Sequence, residues 1–135
     1  MSLFGPIDVS GTGVDAMQTW IDTSAGNIAN ANDAVPVGTP AYAAETPVFT
    51  PVGGGAPGQP GEGVATSVVL GSSTGVVAYD PSSPVANPQG EVVLPDVSMS
   101  DQLVSLIEAQ LGYQADTTAI ARAVAAYNAG LTIGS

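Results

Sequence analysis

Steps of three and four residues organise both ends of this 135-residue chain. From Met99 they lead through Leu103, Leu106, Gln110, Tyr113, Thr117, Ile120, Val124 and Tyr127 to Leu131. Eight of these ten positions are apolar, the spacing of a coiled-coil-type seam. From Leu3 the same steps give Ile7, Ser10, Val14, Met17, Ile21, Ser24, Ile28 and Ala31. The pattern predicts two long amphipathic helices, one at each end of the chain, paired into one core. The first is expected to begin near Asp8 or Ser10 and to end near Asn30. Gly11 and Gly13 would weaken its first turn by roughly 1 kcal/mol each relative to Ala. The second is expected to start near Val97 under a cap from Ser98 or Ser100, with Asp101 at the positive end of its dipole, and to reach Leu131.

Between the helices the periodicity changes. Pro36, Gly38 and Pro40 stop further helix, and residues 42–49 read as extended. Residues 51–63 are a Pro/Gly-rich low-complexity loop. Val64–Leu70 and Gly75–Tyr79 are β-rich runs joined by a turn-like Gly-Ser-Ser-Thr, which predicts a hairpin between them, and Glu91–Leu94 is a last short strand. The expected fold class is therefore mainly α with a small β insert. Residues 1–33 and 97–135 form a terminal-helix core domain, and residues 34–96 form the extended and β-hairpin insert.

Composition shifts this picture towards assembly. Charged residues are only 10% of the chain, well below the ~25% usual in soluble globular proteins, so much of the surface is expected to be covered by neighbours. The flanks of the second helix carry Ser105, Ala109, Ala115, Ala119, Ala123, Ala125 and Ala126 where an exposed coiled coil has Glu and Lys. Small uncharged flanks let other helices approach closely. The chain is also one-sided in charge, with twelve acidic residues against Arg122 alone and a net charge of −11. One cation cannot displace the counterions of a nucleic acid or hold an anionic lipid surface. The N-terminal MSLFGPIDVSG has neither a basic region nor a continuous apolar core, so no cleaved secretory signal is expected, and no stretch approaches a membrane span.

Catalytic chemistry finds no foothold. The chain has no His and no Cys, which removes His-based triads, thiol nucleophiles and the usual zinc ligands. Asp15/Asp22 and Asp101/Glu108 are seven residues apart, an acidic stripe rather than a dyad, and Gly53-Gly54-Gly55 lacks the Lys and Ser/Thr of a phosphate loop. No enzyme activity, cofactor or metal is expected. Trp20 lies off the first seam as a contact anchor or as a cover for the insert, Tyr113 and Tyr127 lie on the second seam, and Asn27, Asn30 and Asn32 supply helix-ending hydrogen bonds.

Ser24-Ala25-Gly26-Asn27-Ile28-Ala29-Asn30-Ala31-Asn32 resembles the motif with which flagellar axial proteins end their first helix. Val77–Pro84, Gly90–Val97, Ile107-Glu108-Ala109 and Tyr113-Gln114-Ala115 resemble, in order and spacing, the FlgC family of proximal rod proteins. FlgB, the other small proximal rod subunit, fits the Tyr-Asp-Pro run less well. Ala34–Thr50 is neutral or acidic where the family is basic, and Gly112 is expected to loosen the middle of the second helix. The resemblance implies a structural subunit that assembles helically into the periplasmic rod joining motor to hook. Its implied partners are further copies of itself, the rod proteins FlgB, FlgF, FlgG and FliE, and the flagellar type III export apparatus, with no nucleic acid and no membrane insertion. The interface or motif residues are Val14, Met17, Trp20, Ile21, Asn27, Ile28 and Asn30 on the first helix, Tyr79, Asp80 and Pro81 in the insert, and Leu103, Leu106, Tyr113, Ile120, Val124 and Tyr127 on the second. The rival class is a free-standing acidic binding module, which predicts a stable monomer with a saturable ligand.

Overall fold

The computed structural model describes residues 5–54 and 61–133. Two helices dominate: α1, Gly5–Asn30, and α2, Met99–Ile133. The 35 residues of α2 span about 52 Å at ~1.5 Å per residue. α1 begins ahead of its expected caps and carries Gly11 and Gly13 inside the helix. The Ser98 hydroxyl accepts the Asp101 N–H at 3.4 Å, and the Gln102 N–H reaches the Ser98 carbonyl at 3.0 Å, so the expected cap holds α2. No helix of the described residues is long and apolar enough to cross a membrane.

Four strands lie between the helices in two separate antiparallel hairpins. β1, Glu45–Gly53, pairs with β2, Gly61–Leu70; β3, Val76–Tyr79, pairs with β4, Glu91–Leu94. This corrects the expected pairing of 64–70 with 75–79. β2 instead finds a longer partner in the segment read only as extended, in a register running from Glu45↔Leu70 to Gly53↔Gly61, and the Gly71 N–H continues the ladder to the Ala44 carbonyl at 2.8 Å. A longer ladder satisfies more backbone groups than the short hairpin would. Much of the expected 51–63 loop is thus strand, and its residues 55–60 lie outside the described residues. Pro47 and Pro51 fit in β1 because it is paired along one edge only and both rings, four residues apart, fall on the other.

The second hairpin is held by the chain on its far side. Val35 exchanges two 2.9 Å backbone hydrogen bonds with Val93, so β4 lies between β3 and Val35. Gly75 turns the chain into β3 at φ +66°, where a Cβ would meet the Leu94 carbonyl oxygen at 2.5 Å, a position only glycine fills.

α1 is the central element, in contact with α2 and with both β1 and β2. The hydrophobic side chains buried among the described residues are Ala16, Ala31, Ala41, Ala109, Val92 and Val93. That core holds no Leu, Ile or Phe, and a single copy buries little apolar surface for its length.

Candidate assembly interface

The contact between the helices rests on close approach at small residues. Gly112 lies under Met17: a Cβ there would sit 2.5 Å from the Met17 Sδ. Gly13 lies under Asp116, with a Cβ position 2.5 Å from Asp116 Oδ2. Ala109 is fully buried. Gly112 therefore admits the Met17 side chain between the helices, which corrects the expectation that it loosens the packing.

This geometry moves the seam of α2. The side of α2 with reduced exposure runs through Gln102, Ser105, Leu106, Ala109, Gly112, Tyr113, Asp116, Thr117, Ile120, Ala123 and Tyr127. Leu106, Tyr113, Ile120 and Tyr127 are on it, as the heptad steps predict. Leu103 and Val124 are not, being 48% and 42% exposed. Backbone proximity selects the small positions, Ser105, Ala109, Gly112 and Ala123, and turns the large aliphatic ones outward. The result is a ridge of Leu103, Val104, Ile107 and Leu111, each 48–61% exposed, on the side of α2 away from α1. On α1 the predicted Val14, Met17, Ile21 and Ile28 are all half-buried along one line.

A neighbouring face of α1 docks the β1–β2 hairpin through residues that read as polar surface. The Thr12 hydroxyl donates to the Val9 carbonyl at 2.8 Å and accepts the Val64 N–H at 3.0 Å. Trp20 meets Phe49 with ring centroids 5.8 Å apart and planes tilted by 56°, so within one copy it covers the insert. A cleft of about 240 Å³ beside it is lined by Ser24, Glu45, Pro47, Gln102 and Ser105, from α1, β1 and α2.

Asn27 ties these three elements together. Its Nδ2 donates to the Glu45 carbonyl at 2.8 Å and to Gln102 Oε1 at 3.0 Å; its Oδ1 accepts the Glu45 N–H at 2.8 Å and the Tyr42 hydroxyl at 3.1 Å. The side-chain amide thus pairs with both backbone groups of Glu45 as a neighbouring strand would. It is 1% exposed and all four of its hydrogen-bonding positions are used. Burial and the nearby Glu45 carboxylate push the Tyr42 hydroxyl above its ordinary value, partly offset by the polar side chain of Asn30 beside it. Asn30 does end the helix as expected, donating to the Gly26 carbonyl at 2.8 Å, whereas Asn27 has this other role and Asn32 is exposed.

Tyr79, Asp80 and Pro81 open the loop joining β3 to β4. Tyr79 is 75% exposed, and Asp80 Oδ1 accepts both the Ser82 N–H at 3.1 Å and the Ser82 hydroxyl at 2.6 Å. Asn87 closes the same loop, its Oδ1 accepting the Gln89 and Glu91 N–H groups, each at 2.9 Å. Of the predicted residues, Val14, Met17, Ile21, Ile28, Leu106, Tyr113, Ile120 and Tyr127 are thus half-buried on the two helices, Trp20 and Asn27 meet the β1–β2 hairpin, and Tyr79, Leu103 and Val124 face outward. Sequence reasoning missed the Ile107–Leu111 ridge, although the four-residue step from Leu103 through both residues is itself a helical stripe. It also missed the pairing of Asn27 with Tyr42 and Gln102, which no local spacing encodes.

Among the described residues no three His, Cys, Asp or Glu side chains gather as a metal site, and nine of the twelve carboxylates, all but Glu45, Glu91 and Asp116, are exposed. The distinctive property of the arrangement is large apolar surface left exposed among the described residues. No family model matches the chain. The flagellar basal-body rod protein FlgC of Salmonella typhimurium, however, is 32% identical over 118 aligned residues that cover 86% of each chain. The chain belongs to the FlgC family of flagellar basal-body rod proteins. FlgC of Aquifex aeolicus is 30% identical over 120 residues, covering 88% of this chain and 87% of its own, and FlgC of Borreliella burgdorferi is 29% identical over an alignment covering 98% of both. As an FlgC-family member the chain is a structural subunit of the flagellar basal-body rod, and its outward-facing ridge is apolar surface on an assembly component.

Proposed function

We propose that this subunit works in the proximal part of the rod as a mechanical element, without a catalytic step, and that it passes motor torque towards the hook. The observation that carries the reading is the exposed aliphatic face of α2 beside a core made of Ala and Val. A subunit that keeps its larger apolar side chains outside is stabilised chiefly when neighbours cover them. In this reading the terminal helices, residues 1–33 and 97–135, are the axial core, and the insert, 34–96, braces adjacent subunits. Val14, Met17, Ile21, Ile28, Leu103, Leu106, Tyr113, Ile120, Val124 and Tyr127 face helices of its own or neighbouring copies. Trp20, Tyr79, Asp80 and Pro81 serve contacts of the insert. Asn27 and Asn30 set its angle to the core.

The partners are further copies and the other rod proteins, FlgB, FlgF, FlgG and FliE. The chain reaches them unfolded through the flagellar type III apparatus, without cleavage. Its surplus of negative charge is offset by basic neighbours. The test is deletion followed by imaging of isolated basal bodies. The expected result is a rod that stops short and a cell that does not swim, both restored by the gene in trans. A complete rod in the deletion strain would refute the assignment.

A further inference from the structure

Among the described residues, at the end of the helical pair opposite the Asn27 junction, the N-terminal turn of α1 and the last turns of α2 leave an apolar notch of about 360 Å³. Pro6, Ala123, Ala126, Tyr127, Gly130 and Leu131 line it. Its walls are mostly small, and a Cβ added at Gly130 would meet nothing within 4 Å. The ridge of Leu103, Val104, Ile107 and Leu111 projects at the other end of α2, on a different face. A large aliphatic ridge and a small-walled apolar notch are complementary, and within one copy they are about 28 Å apart along the helix at ~1.5 Å per residue.

Charge adds an independent reason to pair them. Arg122, the only cation in the sequence, is exposed beside the notch and forms no ion pair with any described residue. Asp101 and Glu108 are exposed beside the ridge. Copies with a net charge of −11 repel one another, so a contact between them gains most where the single cation meets an acid. The flanks matter as well. At ~100° per residue, Arg122 falls on one side of the notch. Asp101 and Glu108 fall on the matching side of the ridge when the two α2 helices run parallel, and on the opposite side when they run antiparallel.

We propose that the notch receives the Leu103–Leu111 ridge of a second copy of this chain, with the two α2 helices parallel and displaced by about 28 Å at ~1.5 Å per residue. This rests on the reading of the chain as a rod subunit and names one of its contacts. Two different patches meet, so the contact is heterologous, and with parallel axes it propagates as an open helix rather than closing as a dimer.

The natural chain contains no Cys, so introduced thiols report on one contact alone. Cells carrying the full-length chain with Ile107→Cys and Ala126→Cys together are oxidised, and their basal bodies are purified and run without reductant. The proposal expects a ladder of linked dimers, trimers and larger species, absent from either single variant. Arg122→Glu should reduce its yield roughly tenfold, the scale for reversing a partly buried charge pair, and Asp101→Arg should restore much of it. Dimers from Ile107→Cys alone, or a double variant that stops at dimers, would overturn the head-to-tail contact. Rods of normal length that contain the chain without cross-links would overturn the contact and leave the rod role standing. Absence of the chain from purified rods would overturn both.

Discussion

Replacing Asn27 by Ala removes one side chain and disconnects three elements. The amide is 1% exposed and makes four hydrogen bonds, two with the backbone of Glu45 and one each with Tyr42 and Gln102. Alanine leaves the Glu45 N–H and carbonyl facing an apolar methyl, with no room for a strand to replace the lost partner. Each buried backbone group left unpaired costs about 1–3 kcal/mol, whereas Tyr42 and Gln102 are half-buried and recover part of their loss from water. The sum is about 3–4 kcal/mol, at the high end for a polar truncation. For a domain of this size that is a fall in melting temperature of roughly 10–15 °C. The control is Asn30→Ala, which loses a single hydrogen bond to the Gly26 carbonyl and should cost about 0.5–1 kcal/mol. Urea unfolding followed by circular dichroism measures both. If the two variants differ by less than about 0.5 kcal/mol, the account of Asn27 as the junction of α1, β1 and α2 is wrong.

Three further outcomes follow from the same packing. Gly112→Leu should destabilise by about 2 kcal/mol or more because the new side chain must displace Met17, while Gly11→Ala, with nothing within 4 Å, should stabilise by about 0.5–1 kcal/mol; denaturant midpoints decide both. Gly75→Ala combines φ +66° with a clash against the Leu94 carbonyl and should destabilise by about 2 kcal/mol or more, read as lost amide-exchange protection in β3 and β4. Because the Tyr42 hydroxyl is raised in the folded state, the unfolded chain loses that proton first; stability should hold below the ordinary value of 10.0 and fall as pH rises through it towards the folded value. Tyr42→Phe should flatten that alkaline slope in pH-dependent urea titrations.

The helices were legible because long runs of three- and four-residue steps fit little besides a helix, and both ends of α1 and α2 fall within a few residues of the pattern. The seam of α2 was half legible. Heptad steps pick out the large apolar residues, but here small residues set the distance between the backbones, and the large ones at 103, 107 and 111 face outward. On α1, Thr12, Ala16, Thr23 and Asn27 form the stripe that docks the β1–β2 hairpin. Their small or polar side chains resemble solvent-exposed positions until their partners 18 to 75 residues away are known. Strand pairing failed for a related reason. A four-residue turn favours pairing 64–70 with 75–79, whereas 64–70 pairs with the strand that precedes it, across a Pro/Gly-rich stretch that reads as loop.

The depth of sequence between Met17 and Gly112, which touch in the folded subunit, bears on synthesis itself. As the polypeptide emerges from the ribosome, α1 meets the β1–β2 hairpin before α2 has been made. Closing so large a loop is slow relative to local coiling. A nascent chain therefore completes its helical pair only after the whole insert has been made.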